Sequence, residues 1–543
     1  MSRTPLWTAV ASLAFLAACS GDTPVQPAAT TQQSGPEATA ISDGNHGGNA
    51  QFFFLPPMVA AASYTGTFDA THTPVVRITE DGAPLIELNA TIPAGSEHYQ
   101  VNWHTQDFDL DPTKTYRITV LVGGVVLGFA DVDVVSSAKQ LKSVNTGEYI
   151  ALLDGRTLPI KFRIESDPWV QVSGGSAVVC GLKYSGRLFC WGQNGGSSPG
   201  GLGNGTVGGL STVPVEVSGA QSWSSFSTGY GGSCAVTKDG RGFCWRGNPF
   251  GALGIGANPS DVPYSAEPRE IAGNHRWSVL AYGEYHVCGL TTSQEAWCWG
   301  INNRGQLGDG TLTDRYVPVR VLGDMKFSEL KVSQMSACAV RLEDALAVVV
   351  QSPRHFCWGQ YDAVHSSAVP VEVTEAQGLS GLSLVAPLTL CARDAEQRGY
   401  CWGWNSSYGT LGTGPVVAPY LLNPTLLGLD ARWLSFSEGI AEHVCGITIA
   451  GSAYCWGDNI SGELGDGSTT NRDVPVALSS TMSWLHMTTV LGDYGMPGKN
   501  STCGLATTGD VYCWGANYSG QLGAGLTPDA LDHATTPVKV LRP

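Results

Sequence analysis

The residues of this chain best suited to chemistry are its fifteen cysteines. Fourteen of them fall into pairs: Cys180 with Cys190, Cys234 with Cys244, Cys288 with Cys298, Cys338 with Cys357, Cys391 with Cys401, Cys445 with Cys455, and Cys503 with Cys513. Nine residues separate the partners in every pair except Cys338 and Cys357, which have a longer loop. Zinc sites favour two to four residues between ligands, with histidines nearby. Redox pairs favour two. A spacing of nine fits neither. It fits facing positions on the two strands of a hairpin, close enough for a disulfide. Seven bridges, each within its own repeat, are therefore expected, each contributing roughly 2–3 kcal/mol.

Other chemistry-bearing groups are weaker candidates. Asp107, Asp109 and Asp111 alternate before Pro112, and clustered carboxylates suit calcium. They follow no calcium-loop spacing, and a solvated turn explains them equally well. His286 and His443 each stand two residues before a first cysteine, a recurrence that speaks for packing. The glycine-rich run at 200–205 has no helix after it to hold a phosphate. A tryptophan follows every second cysteine (Trp191, Trp245, Trp299, Trp358, Trp402, Trp456 and Trp514). Beside a disulfide, these suit packing between repeats better than a ligand-stacking ring. Aromatic residues outside the repeat register are the candidates for surface binding: Phe250, Tyr361, Trp404, Tyr408 and Tyr494. No catalytic residue, resident metal or cofactor is expected.

The elements that position these residues follow from the same spacing. If Cys180 faces Cys190, then Lys183 pairs with Arg187 and Tyr184-Ser185-Gly186 is a three-residue loop. Such a loop wants positive φ at its last residue, which glycine adopts at least cost. Gly186, Gly240, Gly451 and Gly509 stand there, and Gln294 and Gln397 take the place in two other repeats. Each Trp-Gly is followed by a turn, then by a strand opened by proline, as at Pro214, Pro318, Pro370, Pro475 and Pro537. An aromatic-led strand, as at Trp223 or Trp277, begins the next unit. First cysteines recur every 50–58 residues, the mark of a repeat architecture. About four short strands per unit is the content of one propeller blade.

Phrases such as His286-Val287-Cys288-Gly289-Leu290 and Cys298-Trp299-Gly300-Ile301-Asn302-Asn303-Arg304-Gly305-Gln306-Leu307-Gly308 resemble the repeats of the regulator of chromosome condensation family. The resemblance covers about residues 169–543 and implies a seven-bladed β-propeller, in agreement with the seven cysteine pairs. It is weakest in the second repeat, where Arg246 replaces the glycine after tryptophan, and in the fourth, where residues 342–354 look like an insertion. The two termini of the propeller are expected to be neighbours and to complete one blade together. The family's eukaryotic founder promotes guanine-nucleotide exchange on a small nuclear GTPase and binds chromatin. That activity is not expected here, for reasons of compartment and charge.

The N-terminus carries Arg3 and a short apolar run, as a secretory signal does. Leu16-Ala17-Ala18-Cys19 then resembles a bacterial lipobox, which implies lipid on Cys19, the one cysteine left unpaired. Ser20 after it resembles the sorting signal for the outer membrane. The expected organisation is a signal peptide at 1–18, a flexible tether at 19–58, a small Ig-like β-sandwich at 59–166 and the propeller at 167–543. Within the tether, Phe52-Phe53-Phe54 is an apolar cluster suited to anchoring the edge of the sandwich, with contact to the membrane as the alternative. A formal net charge of −16 argues against nucleic acid and anionic lipid as non-specific partners.

The sequence thus describes an exported, lipid-anchored, all-β protein of the bacterial envelope, expected to be a monomer. Its propeller loops would bind a protein or a glycan; secreted bacterial propellers of similar fold include an inhibitor of β-lactamase. The alternatives are a secreted glycan lyase or hydrolase, and a purely architectural envelope protein.

Overall fold

Short runs of alternating hydrophobicity, broken by Gly, Pro and Asp turns, leave antiparallel strands as the way to bury one face and pair the backbone. The computed structural model describes residues 41–543, except 44, 46–48, 50, 60–61, 65–66, 123–124, 136–149, 196–198, 220, 343–352, 363, 417, 440 and 493–498. Cys19, the signal segment, Tyr494 and most of the 342–354 insertion lie outside the described residues. The chain divides into two units, one ending at Ile164 and the other beginning at Glu165.

In the first unit, strands at Ile41–Ser42, Val125–Val135, Tyr116–Val122, Val75–Glu80 and Ala83–Asn89 form one sheet in that order, with Ile150–Leu153 added beside Val125–Val135. Strands Phe52–Phe54, Thr157–Ile164 and Tyr99–His104 form a second. Both sheets feed one core, in which Val76, Ile118 and Val132 of the first meet Phe52, Trp103 and Phe162 of the second. The expected strands are present, and the Phe52–Phe54 cluster is fully part of this core. Residues 41–42 and 52–54, expected in the tether, are strands of this unit. Ile150–Leu153 runs parallel to Val125–Val135, which lies outside the antiparallel pattern of an immunoglobulin sandwich.

The second unit is the seven-bladed propeller. Its first blade, residues 169–216, pairs Trp169–Gly174, Val178–Lys183, Leu188–Gln193 and Leu210–Glu216 in chain order. Six more four-stranded sheets repeat this at 223–270, 277–320, 327–372, 380–426, 433–477 and 484–539.

The expected cysteine register is present in every blade. Cys180 opposes Cys190 in the ladder of the first and Cys234 opposes Cys244 in the second. Cys288 opposes Cys298 in the third, and Cys338 opposes Cys357 in the fourth despite its longer loop. Cys391 opposes Cys401, Cys445 opposes Cys455 and Cys503 opposes Cys513 in the last three. All seven pairs are bridged, with Cα–Cα separations of 4.0–4.1 Å. Gly186 closes the first hairpin at φ +92°, and Gln294 and Gln397 are held at φ +65° in theirs. The prolines do not open the outer strands as expected; Pro214 lies inside Leu210–Glu216, between two paired positions where the register shifts. An edge strand tolerates this because the missing N–H has no neighbour to serve.

The post-cysteine tryptophans join blade to blade. Trp299 Nε1 donates to Ala252 O at 3.0 Å, Trp456 Nε1 to Thr410 O at 2.9 Å, and Trp514 Nε1 to Glu463 O at 2.8 Å. Each acceptor lies in the turn of the preceding blade. The fit is close: a Cβ added at Gly254 would stand 2.6 Å from Trp299 Nε1, at a backbone φ of +69°. Trp191 makes the same bond to Gln521 O at 2.9 Å, and that bond joins the first blade to the last. The ring therefore closes by packing. The first and last blades meet, as Trp169 N donates to Gly509 O at 2.9 Å, and Arg542 near the C-terminus shares a small cavity with Trp169, but the two ends of the propeller do not share a blade. Each of the seven repeats supplies its own four strands, so among the described residues no strand is left over to complete a neighbour.

Candidate ligand-binding face

In an antiparallel blade, the connections from first to second strand and from third to fourth emerge at the same end. Phe250, Tyr361, Trp404 and Tyr408 all lie at or beyond the end of a third strand, so all four belong to this face. The structure does not bring them together. Phe250 is on the second blade and 40% exposed; Trp404 is on the fifth and 41% exposed, with Tyr408 half-buried nearby in sequence. Tyr361 is not a surface residue: it is 7% exposed, in one core cluster with Leu390 and Trp402. The fourth blade lacks the Leu-Gly turn that covers the next tryptophan elsewhere, and Tyr361 fills that volume.

Phe250 lines a cavity of about 620 Å³ built from loops of the first three blades. Its ring lies 5.8 Å from that of Tyr285, which meets Tyr230 edge-on at 5.4 Å. Pro199, Pro249, Pro259 and Pro263 supply much of the remaining wall. Gly231 is required where it stands, since a Cβ there would meet Tyr285 Cδ1 at 2.8 Å. Phe250 itself has φ +57°, a conformation unfavourable for an aromatic residue. Arg246, which departs from the repeat, is held at φ +84° where the other repeats place glycine, and is 1% exposed. Its Nη2 donates to Ser176 O of the first blade at 3.0 Å, behind the cavity. Sequence reasoning found Phe250 but missed Tyr230 and Tyr285. The available signal was an aromatic residue a few positions before the first cysteine in two successive repeats.

A second, smaller cavity of about 330 Å³ lies among the inner strands around the propeller axis. Lys331 and Glu438 form an ion pair there. Burial pushes the Glu438 carboxyl up, but Lys331 outweighs it and holds the group low.

The remaining perturbed groups are buried. Burial drives His286 down to about 4 and His443 down to about 3, so both are neutral interior residues. His443 Nε2 lies 2.7 Å from Thr502 Oγ1. Burial, then the neighbouring Asp458, pushes Glu463 up to about 8. At 0% and 1% exposure, Glu463 and Asp458 have no surface on which to meet a polysaccharide. Asp111 accepts from Thr113 N at 2.8 Å and Thr113 Oγ1 at 2.7 Å, as in a solvated turn. No three His, Cys, Asp or Glu residues converge to hold a metal ion among the described residues.

Comparison with known proteins agrees with this geometry. Two models of the regulator of chromosome condensation repeat match, one at residues 279–306 and 498–521, the other at 294–339 and 450–490. The chain is 27% identical over 304 residues to the ultraviolet-B receptor UVR8 of Arabidopsis thaliana, covering 53% of this chain and 63% of the receptor. It is 27% identical over 324 residues to the E3 ubiquitin-protein ligase HERC2 of Homo sapiens, covering 56% of this chain and 6% of the ligase. The match thus spans less than two thirds of either relative. Among solved structures, Prp20p from Saccharomyces cerevisiae, described with its binding to Gsp1p and histones, superposes with a TM-score of 0.53 at 17% identity. That match covers 69% of this chain and 88% of Prp20p. Human WBSCR16 superposes with a TM-score of 0.50 at 19% identity, covering 62% and 89%. At such identities the likeness shows the fold.

Proposed function

We propose that this chain, a seven-bladed propeller of regulator of chromosome condensation repeats preceded by a small β-sandwich, is a non-enzymatic binding protein of the bacterial cell envelope. The observation that carries this reading is the aromatic- and proline-lined cavity of about 620 Å³ on the loop face. Its size and lining are those of a ligand site, and Phe250 is held there in a strained backbone conformation, as at other functional sites. An enzyme would need acid, base or nucleophile groups facing such a cavity, and beside the tyrosines Tyr230 and Tyr285 its described residues offer few. Among the described residues, Ser176 and Asn248 are its only non-aromatic polar side chains. Both are engaged within the fold: Ser176 Oγ donates to Gly492 O at 3.3 Å, and Asn248 Nδ2 to Val262 O at 2.8 Å. Guanine-nucleotide exchange is not part of this reading.

Seven disulfides support an oxidising compartment, the Leu16-Ala17-Ala18-Cys19 signal supports lipid anchoring, and Ser20 after it supports the outer membrane as its place. Cys19→Ser is expected to move the protein from the membrane fraction to the soluble one; retention on the membrane overturns the anchor. The binding role is tested by immobilising the mature chain and challenging it with the producing cell's surface and secreted extract. A saturable protein or glycan partner, captured by the native chain and lost with Phe250→Gly, is the expected result. Capture that ignores Phe250, or no capture, overturns the assignment of this cavity.

A further inference from the structure

We propose that the cavity formed by the first three blades receives a proline-rich, extended segment of a partner protein, with a basic residue flanking the prolines. This rests on the binding-protein reading above and names the ligand class. The argument begins with hydrogen-bonding capacity. Four of the backbone N–H groups around the cavity are used within the fold: Tyr230 N donates to Gly283 O, Gly231 N to Glu284 O, Gly247 N to Gly231 O, and Asn248 N to Pro263 O, all at 2.8–3.2 Å. Asn248 spends its amide on Val262 O and its carbonyl on Leu253 N. The four wall prolines have no N–H to offer.

A glycan entering this cavity would exchange the hydration of several hydroxyls for few replacement partners, which is unfavourable for each group left unpaired. A proline-rich segment brings few N–H groups of its own to leave unpaired, and in the polyproline conformation its carbonyl oxygens can stay turned to water at the cavity mouth. It also arrives pre-ordered in the polyproline conformation, and its rings pack on aromatic faces. The surface offered here is three rings, Tyr285 meeting both Tyr230 and Phe250, with Phe250 held at a left-handed φ. Charge supplies the second half. The segments forming the cavity carry Asp261, exposed between Pro259 and Pro263, and Glu284, next to Tyr285. Among the described residues their one Lys or Arg, Arg246, is buried at 1% exposure. Burial pushes the Glu284 carboxyl up, and an approaching cation would relieve that.

The test titrates the mature chain with a decaproline peptide bearing an N-terminal arginine, read by calorimetry. A glycine-serine peptide of equal length and charge, and a chitin hexasaccharide, are titrated in parallel. The proline peptide is expected to bind saturably and the other two not to. Phe250→Gly, which accepts the left-handed backbone, should weaken binding by roughly tenfold or more, while Phe250→Tyr and Trp404→Ala leave it unchanged. Unaltered thermal unfolding of Phe250→Gly would separate a lost contact from a lost fold. No proline-peptide binding by the folded chain, or binding equal in Phe250→Gly, overturns the proposal. Phe250-dependent binding of the hexasaccharide also overturns it, yet leaves the cavity a ligand site. Failure of the extract capture as well would remove the broader reading.

Discussion

Glu463 shows how one atom can set the pH response of a repeat. Gln306 and Gln521 hold the same place in their turns, where each accepts a backbone N–H: from Arg304 at 2.7 Å and from Ser519 at 2.8 Å. Glu463 Oε2 does the same for Ser461 N at 2.8 Å. Its other oxygen occupies the place of the glutamine NH₂ and is buried without a hydrogen-bond partner. Burial first, then Asp458, pushes the group up to about 8. The folded protein therefore favours the protonated acid. Its contribution to stability is fully present below the ordinary glutamate range, near pH 4.5, and is lost as pH rises to about 8. Glu463→Gln removes that loss. The variant is expected to match the native protein near pH 4.5 and to exceed it at pH 8 by about 1–3 kcal/mol, the scale of one unsatisfied buried polar group. Denaturant titrations at several pH values decide it; parallel curves for the two proteins would refute the assignment.

At the scale of elements, the hairpin between paired cysteines was the most legible part of the chain. The nine-residue gap dictates its register, and the register dictates a left-handed residue at the end of the loop. Gln294 meets that demand at φ +65° although glutamine is a poor occupant, because the paired strands and the Cys288–Cys298 bridge leave the backbone no alternative. Gln294→Gly should therefore stabilise the propeller by about 0.5–1 kcal/mol, the left-handed penalty less the added freedom of the unfolded chain. Gln397→Gly should gain less, since Gln397 Oε1 accepts from Arg393 Nη1 at 3.0 Å. Equal or lower unfolding midpoints for Gln294→Gly would show that the strain is absorbed elsewhere. The outer strands were less legible. A proline reads locally as a strand boundary, and the fact that these strands are sheet edges, where an internal proline is tolerated, is not a local property. The same limit applied to the candidate site. Phe250 stood out as a departure from the repeat, whereas Tyr230 and Tyr285 matter because two neighbouring blades bring them together. Tyr361 also departed from the repeat, but it serves to fill the core left by a shortened turn.

The whole molecule adds a constraint that no single repeat contains: a closed ring, in which every blade is packed on two neighbours. The period of the cysteines gives seven blades, but how the ring closes depends on contacts between the first and last, such as Trp191 Nε1 with Gln521 O and Trp169 N with Gly509 O. This constraint bears on the disulfides. A reductant must bring a thiolate to a sulfur, and every bridged cysteine is at most 3% exposed. Reduction then waits for an opening, and opening one blade strips the tryptophan contacts of the blades beside it. We expect the bridges to be lost together. Under native conditions with thiol reductant and an alkylating trap, mass spectra should show two populations, one fully bridged and one fully alkylated. Alkylation should appear at the rate of global unfolding followed by tryptophan fluorescence. A ladder of partly reduced species appearing before unfolding would mean that blades open one at a time, and that closure of the ring does not make the seven repeats one cooperative unit.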